Sequence, residues 1–148
     1  MARILFLHGL ESKPGGSKPT ALEALGHQVY NPALPKNDFN ESVRIAQEEV
    51  DLLKPDVIVG SSRGGAVAMS VNPGAAKVIL IAPAWRNYDV PPNVSEGTAI
   101  LHCPSDKIID YEDSKMLEAL CKANLIACGT GHRLNDDDAL QTLSELVY

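Results

Sequence analysis

Asp56-Val57-Ile58-Val59-Gly60-Ser61-Ser62-Arg63-Gly64-Gly65-Ala66-Val67-Ala68-Met69 is the stretch on which the reading of this chain turns. An apolar run ends in the pentapeptide Gly60-Ser61-Ser62-Arg63-Gly64, and a run of small residues follows it. The pentapeptide fits G-x-S-x-G, a common pattern by itself. A strand before it and a helix after it are the setting in which the central serine sits on a sharp strand-to-helix turn. Such a turn holds the serine backbone in a strained conformation, and the flanking glycines let strand and helix approach closely. Ser62 then projects its hydroxyl above a sheet. The first N–H groups of the helix and its dipole face the same point, where they can stabilise an oxyanion.

Working outward, short apolar runs alternate with helical patterns. Ile4-Leu5-Phe6-Leu7 is a continuous apolar run ending at His8-Gly9, the pattern of a strand buried on both faces. A Gly/Pro/Ser-rich loop follows through Ser17. Pro19 opens a short helix with Ala21, Leu22 and Leu25 on its apolar face and Gly26 at its end. Residues 27–30 read as a second strand. Asp38 and Glu41 form a capping-box pair ahead of a helix whose apolar face is Phe39, Val43, Ala46, Val50 and Leu53, and Pro55 stops it. Beyond the serine, strands are expected over residues 77–82, 98–102 and 124–127, with helices over 110–121 and 136–147. Six strands alternating with helices at this spacing predict βαβ crossovers, hence a mostly parallel sheet covered on both faces, a three-layer α/β architecture.

A chain of 148 residues has room for one domain with a sizeable core but not for an added lid domain, so substrate contacts are expected from loops. The net charge of −6 and the lack of a Lys/Arg cluster argue against a nucleic-acid or anionic-membrane partner. Cys103, Cys121 and Cys128 are odd in number and lack C-x-x-C spacing, which suggests neither a disulfide framework nor a zinc site. Reduced thiols, and an N-terminal apolar run too short for a signal peptide or a membrane span, lead to the expectation of a soluble cytoplasmic protein. No P-loop lysine, no G-x-G-x-x-G after a strand and no metal-ligand spacing is present, so no cofactor and no metal is expected.

Ser62, Asp106 and His132 occur in the chain order of a nucleophile-elbow triad, each just past the end of an expected strand, where open α/β sheets place their ligand sites. His132 lies in the glycine-rich loop after Cys128-Gly129-Thr130-Gly131, free to reach a serine hydroxyl as general base. Asp106 sits in the turn after Ile100-Leu101-His102, placed to orient an imidazole. Asp110 competes for that role, although its position before Tyr111-Glu112-Asp113 suits a helix N-cap; Asp136-Asp137-Asp138 likewise reads as a helix start. Oxyanion donors are expected from the backbone N–H groups of Arg63 and, in the loop His8-Gly9-Leu10, of Leu10. His8 and His102 are assigned to structural hydrogen bonding, and His27 to an exposed helix–strand junction. Trp85 and Tyr88 are candidates to wall an acyl pocket. The Arg63 side chain is expected either to reach a substrate carboxylate or to pair with a loop acid.

These pieces resemble the α/β-hydrolase superfamily, and within it the small single-domain esterases of the YqiA type, with the retinoblastoma-binding hydrolases more distant. The resemblance rests on Leu7-His8-Gly9-Leu10-Glu11-Ser12, Pro32-Ala33-Leu34-Pro35, Val59 to Gly65, Pro83-Ala84-Trp85-Arg86, Asp106-Lys107-Ile108-Ile109-Asp110-Tyr111 and Gly131-His132. It implies Ser62 as nucleophile, Asp106 as acid and His132 as base, on a minimal sheet lacking the first two strands of the full superfamily fold. Arg63 departs from the apolar or neutral residue more usual after the nucleophile, and the stretch from Pro83 to Gly97 is too short for a long lid. Hydrolysis of a small-molecule carboxylic ester is the expectation. A thioester would use the same residues, and a non-catalytic protein binding a partner through the same fold is the rival from another class.

Overall fold

The computed structural model describes residues 1–9 and 15–148, in which six strands form one wholly parallel sheet. The strands are β1 (Arg3–Leu7), β2 (Gln28–Tyr30), β3 (Val57–Ser61), β4 (Lys77–Ile81), β5 (Ala99–His102) and β6 (Asn124–Ala127). The helices are α1 (Ser17–Ala24), α2 (Phe39–Leu53), α3 (Arg63–Ser70), α4 (Tyr111–Cys121) and α5 (Asp137–Leu146), with a single 3-10 turn at Arg86–Tyr88. No helix among the described residues is long and apolar enough to cross a membrane.

Strand residues point alternately to opposite faces, and here both sets are apolar because both faces are covered. Leu5, Leu7, Ile58, Leu80 and Ile100 pack with Ala46 and Val50 of α2, Ala66 and Val67 of α3 and Leu117 of α4. Ile4, Phe6, Val57, Val59, Ile79, Ile81 and Leu101 pack with Leu22 of α1 and Ala139 and Leu143 of α5. The continuous apolar runs of the sequence are thus one strand serving two cores.

Local signals set most of the boundaries. The Asp38 carboxylate accepts from the Glu41 N–H at 3.0 Å, and Lys54 leaves α2 in the left-handed conformation just before Pro55. Asp110 and Asp136 cap α4 and α5, accepting from Glu112 N–H at 2.9 Å and Ala139 N–H at 3.3 Å. β3 runs two residues past Val59 because Gly60 and Ser61 still pair with Leu80 and Ile81 of β4. His27 is not exposed: it is buried beside Tyr148, and its Nδ1 accepts from the Ala2 N–H at 2.9 Å. Its position next to the edge strand β2 hid the fact that the N- and C-termini close over it.

The strand order β2-β1-β3-β4-β5-β6 positions the site. The chain moves from β1 to one side and, from β3 onward, to the other, so the carboxyl ends of β1 and β3 bound the crevice at the topological switch point. Leu7 pairs with Gly60 there. The loop after β1 and the turn after β3 are therefore neighbours.

Candidate active site

Ser62 has φ 56° and ψ −115°, a conformation that a non-glycine residue adopts at a cost of about 1–3 kcal/mol. Its backbone is held there from several directions. Its N–H donates to Ile81 C=O at 2.8 Å, and its own C=O accepts from Gly65, Ala66 and Ala84 N–H groups at 2.9, 3.2 and 3.0 Å. The glycines are sterically required: a Cβ on Gly60 would stand 2.5 Å from Gly64 O, and one on Gly64 would stand 2.0 Å from Leu7 O. This is why α3 can start directly against β1 and β3.

Three distant segments meet at the serine. His132 Nε2 is 3.1 Å from Ser62 Oγ, and His132 Nδ1 is 2.7 Å from Asp106 Oδ2. A carboxylate only accepts, so Nδ1 carries the proton and Nε2 is left to accept from the serine hydroxyl, the tautomer a general base needs. Asp106, not Asp110, faces the histidine, since Asp110 is occupied as the cap of α4.

Asp106 is held by four donors. Oδ1 accepts from Ile108 and Ile109 N–H groups at 2.7 and 2.9 Å, while Oδ2 accepts from His132 and, at 3.1 Å, from His102 Nε2. Burial of this carboxyl pushes its pKa up, but the bonds from His132 and the two backbone N–H groups outweigh it and hold it below the ordinary value. His102 Nε2 also faces Ile109 C=O at 3.0 Å, and its Nδ1 lies 2.7 Å from Ser114 Oγ. Both neighbours of Nε2 are acceptors, so the proton is on Nε2 and Ser114 donates to Nδ1. Burial lowers the His102 pKa, which keeps the ring neutral. The structural role expected for His102 thus falls on the carboxylate of the site. The sequence signal is its place at the strand end, four residues before Asp106.

The loop after β1 is tied down by His8. Its Nε2 accepts from Leu34 N–H at 3.1 Å and its Nδ1 donates to Gly9 C=O at 2.9 Å. Leu10, expected as one oxyanion donor, lies outside the described residues. Arg63 is the first residue of α3, so its N–H has no acceptor within the helix and lies beside Ser62.

The Arg63 side chain takes neither of its expected places. It is 3% exposed and turned inward, donating to Pro35 C=O at 2.8 Å and Ser42 Oγ at 3.1 Å. Its guanidinium carbon lies 5.6 and 5.5 Å from the ring centres of Phe39 and Tyr88, which stack on each other. No carboxylate is paired with it among the described residues, and Nε has no partner. Trp85 is also corrected: it is buried in the core, with Nε1 donating to Asp113 C=O at 3.3 Å, and it does not border the cavity in front of Ser62. Tyr88 does border it. That cavity, about 680 Å³, opens to solvent over Ser62 and His132 and is also walled by Ile108, Ile109 and Leu134.

No family model and no curated protein matches the chain. Solved structures do resemble it. A structure described as a hydrolase of the α/β superfamily from Xanthomonas campestris pv. campestris aligns with 99% of this chain and 96% of its own, at TM-score 0.77 and 22% identity. A monoacylglycerol lipase from Paleococcus ferrophilus covers 97% and 93% at TM-score 0.79 and 13% identity. The esterase domain of a Rhodothermus marinus protein covers 99% and 84% at TM-score 0.70 and 19% identity. This chain has the α/β-hydrolase fold, with a sheet of six parallel strands among the described residues.

Proposed function

We propose that this protein is a serine hydrolase of the YqiA type that cleaves a carboxylic ester of a small molecule. The observation that carries the reading is the unbroken chain of hydrogen bonds from Ser62 through His132 to Asp106 at the mouth of the cavity.

In this reading His132 Nε2 removes the Ser62 proton as Oγ attacks the ester carbonyl. Asp106 holds the ring and offsets the charge of the imidazolium. The tetrahedral oxyanion faces the Arg63 N–H at the positive end of α3, with Leu10 N–H as the second donor. His132 then gives its proton to the leaving alkoxide, water adds to the acyl-enzyme, and the same groups return the serine. The strained φ of Ser62 pre-sets Oγ for attack, and the backbone bonds to it offset that strain.

Covalent labelling with a fluorophosphonate, followed by peptide mapping, tests this. Wild type and Ser61→Ala should carry the label on Ser62, and Ser62→Ala should carry none. Absence of labelling in the folded wild type would instead favour a protein that keeps the fold only to bind a partner. In the same assay, matched esters and thioesters rank the two leaving groups.

A further inference from the structure

Among the described residues, the charged side chains bordering the cavity in front of Ser62 are all of one sign. Lys18, Arg63 and Arg133 border it, and among the described residues no aspartate or glutamate does. In a chain of 19 acidic and 13 basic residues this is a local inversion of the overall charge. Asp106 lies behind His132 with its side chain sealed from solvent, and its oxygens are already taken by four donors.

Lys18 is the unusual member. It lies in the first turn of α1, where the positive end of the helix dipole opposes a cation, and that turn has no acidic residue. It is folded inward so that Nζ donates to Arg133 C=O at 2.5 Å, which ties α1 to the loop carrying His132 across 115 residues of sequence. Burial, then the nearby Arg133 charge, lowers its pKa to about 8. A lysine with no use for its charge would extend into water, which strongly favours an ammonium. One N–H of Lys18 is used on Arg133 C=O, leaving others to donate. The Arg133 guanidinium is exposed and makes no hydrogen bond among the described residues. Arg63 is set aside as a ligand, because its two terminal nitrogens are turned away onto Ser42 and Pro35. The same cavity is also lined by Tyr88, Ile108 and Leu134, apolar surface suited to an uncharged spacer.

We propose that the cavity takes esters that carry a negative charge remote from the scissile bond, with that charge held by Lys18 and Arg133. This rests on the hydrolase reading above. A charge-assisted contact at the far end would fix the acyl or alcohol group while the carbonyl settles over Ser62, so that remote binding energy positions the reacting atoms.

The test uses mono-4-nitrophenyl esters of dicarboxylic acids of graded length, as the free acids and as their methyl-capped neutral twins. Wild type should favour the free acid in kcat/KM, and the free-acid to capped ratio should fall at least about tenfold in Lys18→Met and in Arg133→Gln. Lys18→Arg, which keeps the charge, should retain most of the ratio and guards against a folding artefact. Phenyl esters bearing the carboxylate on the leaving group run the same comparison on the alcohol side. Calorimetric titration of Ser62→Ala with each free-acid and capped pair reads the charge preference without turnover. Tighter binding of a free acid, lost on adding Lys18→Met, supports the inference even if the protein hydrolyses nothing. Equal ratios in wild type and variants, or no difference in binding between free and capped esters, overturns it. Loss of labelling and turnover alone would count against the hydrolase reading instead.

Discussion

His102 Nε2 lies 3.1 Å from Asp106 Oδ2, the same oxygen that His132 Nδ1 reaches at 2.7 Å. One carboxylate oxygen is therefore shared by two imidazoles, one facing the serine and one buried with its far nitrogen on Ser114. His102 does not contact Ser62, and in the proposed hydrolase its place is that of a positioning residue for Asp106. His102→Gln should lower kcat roughly ten- to a hundredfold through misplacement of the carboxylate, with KM little changed. Ser114→Ala, which removes only the hydroxyl on Nδ1, should give a smaller loss of the same kind. A change confined to KM would assign His102 elsewhere.

The same residue gives the protein an acid sensitivity. Burial holds the folded His102 pKa below its ordinary 6.5, so as pH falls through that value the unfolded chain takes up a proton that the folded one refuses. Stability conferred by the neutral ring is complete above about pH 6.5 and declines below it. Asp106 acts lower: its folded pKa lies below the ordinary 3.8, so its contribution is complete above that value and lost as pH falls through the folded value. Melting curves should show the fall in Tm between pH 7 and 5 shrinking in His102→Gln. The fall below about pH 4 should persist there. An unchanged slope in the upper interval would remove His102 from this role.

Asp106 and Asp110 separate by kinetics and melting. Asp106→Asn keeps an acceptor for Ile108 and Ile109 but sets an amide donor against His132 Nδ1, favouring the wrong tautomer. Turnover should drop about 10⁴-fold. Asp110→Ala removes the cap on Glu112 N–H, and should lower stability by about 1 kcal/mol while leaving most activity. The reverse pattern would exchange the two assignments.

Arg63→Met leaves Pro35 C=O without its charged donor and strips the same contact from Ser42 Oγ. Charged hydrogen bonds of this kind contribute about 1.5–3 kcal/mol each, and a loss of about 2 kcal/mol by denaturant melting is expected. Because the guanidinium faces the loop before α2, charged and neutral esters should lose activity together. Selective loss on charged esters would return Arg63 to a substrate-binding role.

Gly64→Ala places a methyl group 2.0 Å from Leu7 O, in backbone that β1 and β3 hold by pairing. Strand and helix must then separate, and the variant should be strongly destabilised or insoluble. Gly74→Ala is the control for glycine loss without a clash: a Cβ there meets nothing within 4 Å, leaving only the strain of φ +62°. A Gly64→Ala protein that melts like wild type would contradict the close packing at the elbow.

The order of the elements was legible residue by residue because its causes are local. Capping carboxylates act within three residues, βαβ spacing follows from alternating apolar runs, and the elbow is a pentapeptide between a strand and a helix. Even the meeting of Ser62, Asp106 and His132 was readable, since a parallel sheet brings every strand's carboxyl end to the same edge. What the local pattern could not carry is where a side chain turns once several elements compete for it. Arg63 spends its charge on Pro35 and Ser42, 28 and 21 residues away, and Lys18 meets Arg133 across 115. Trp85 sinks beneath α4 while Tyr88, three residues on, stays at the cavity. The composition of this chain and its short-range spacings determined the sheet, its helices and the serine turn. Only the tertiary structure decided which cations face the cavity, because burial and partnership are set by which distant surfaces pack together, and no residue carries that information alone.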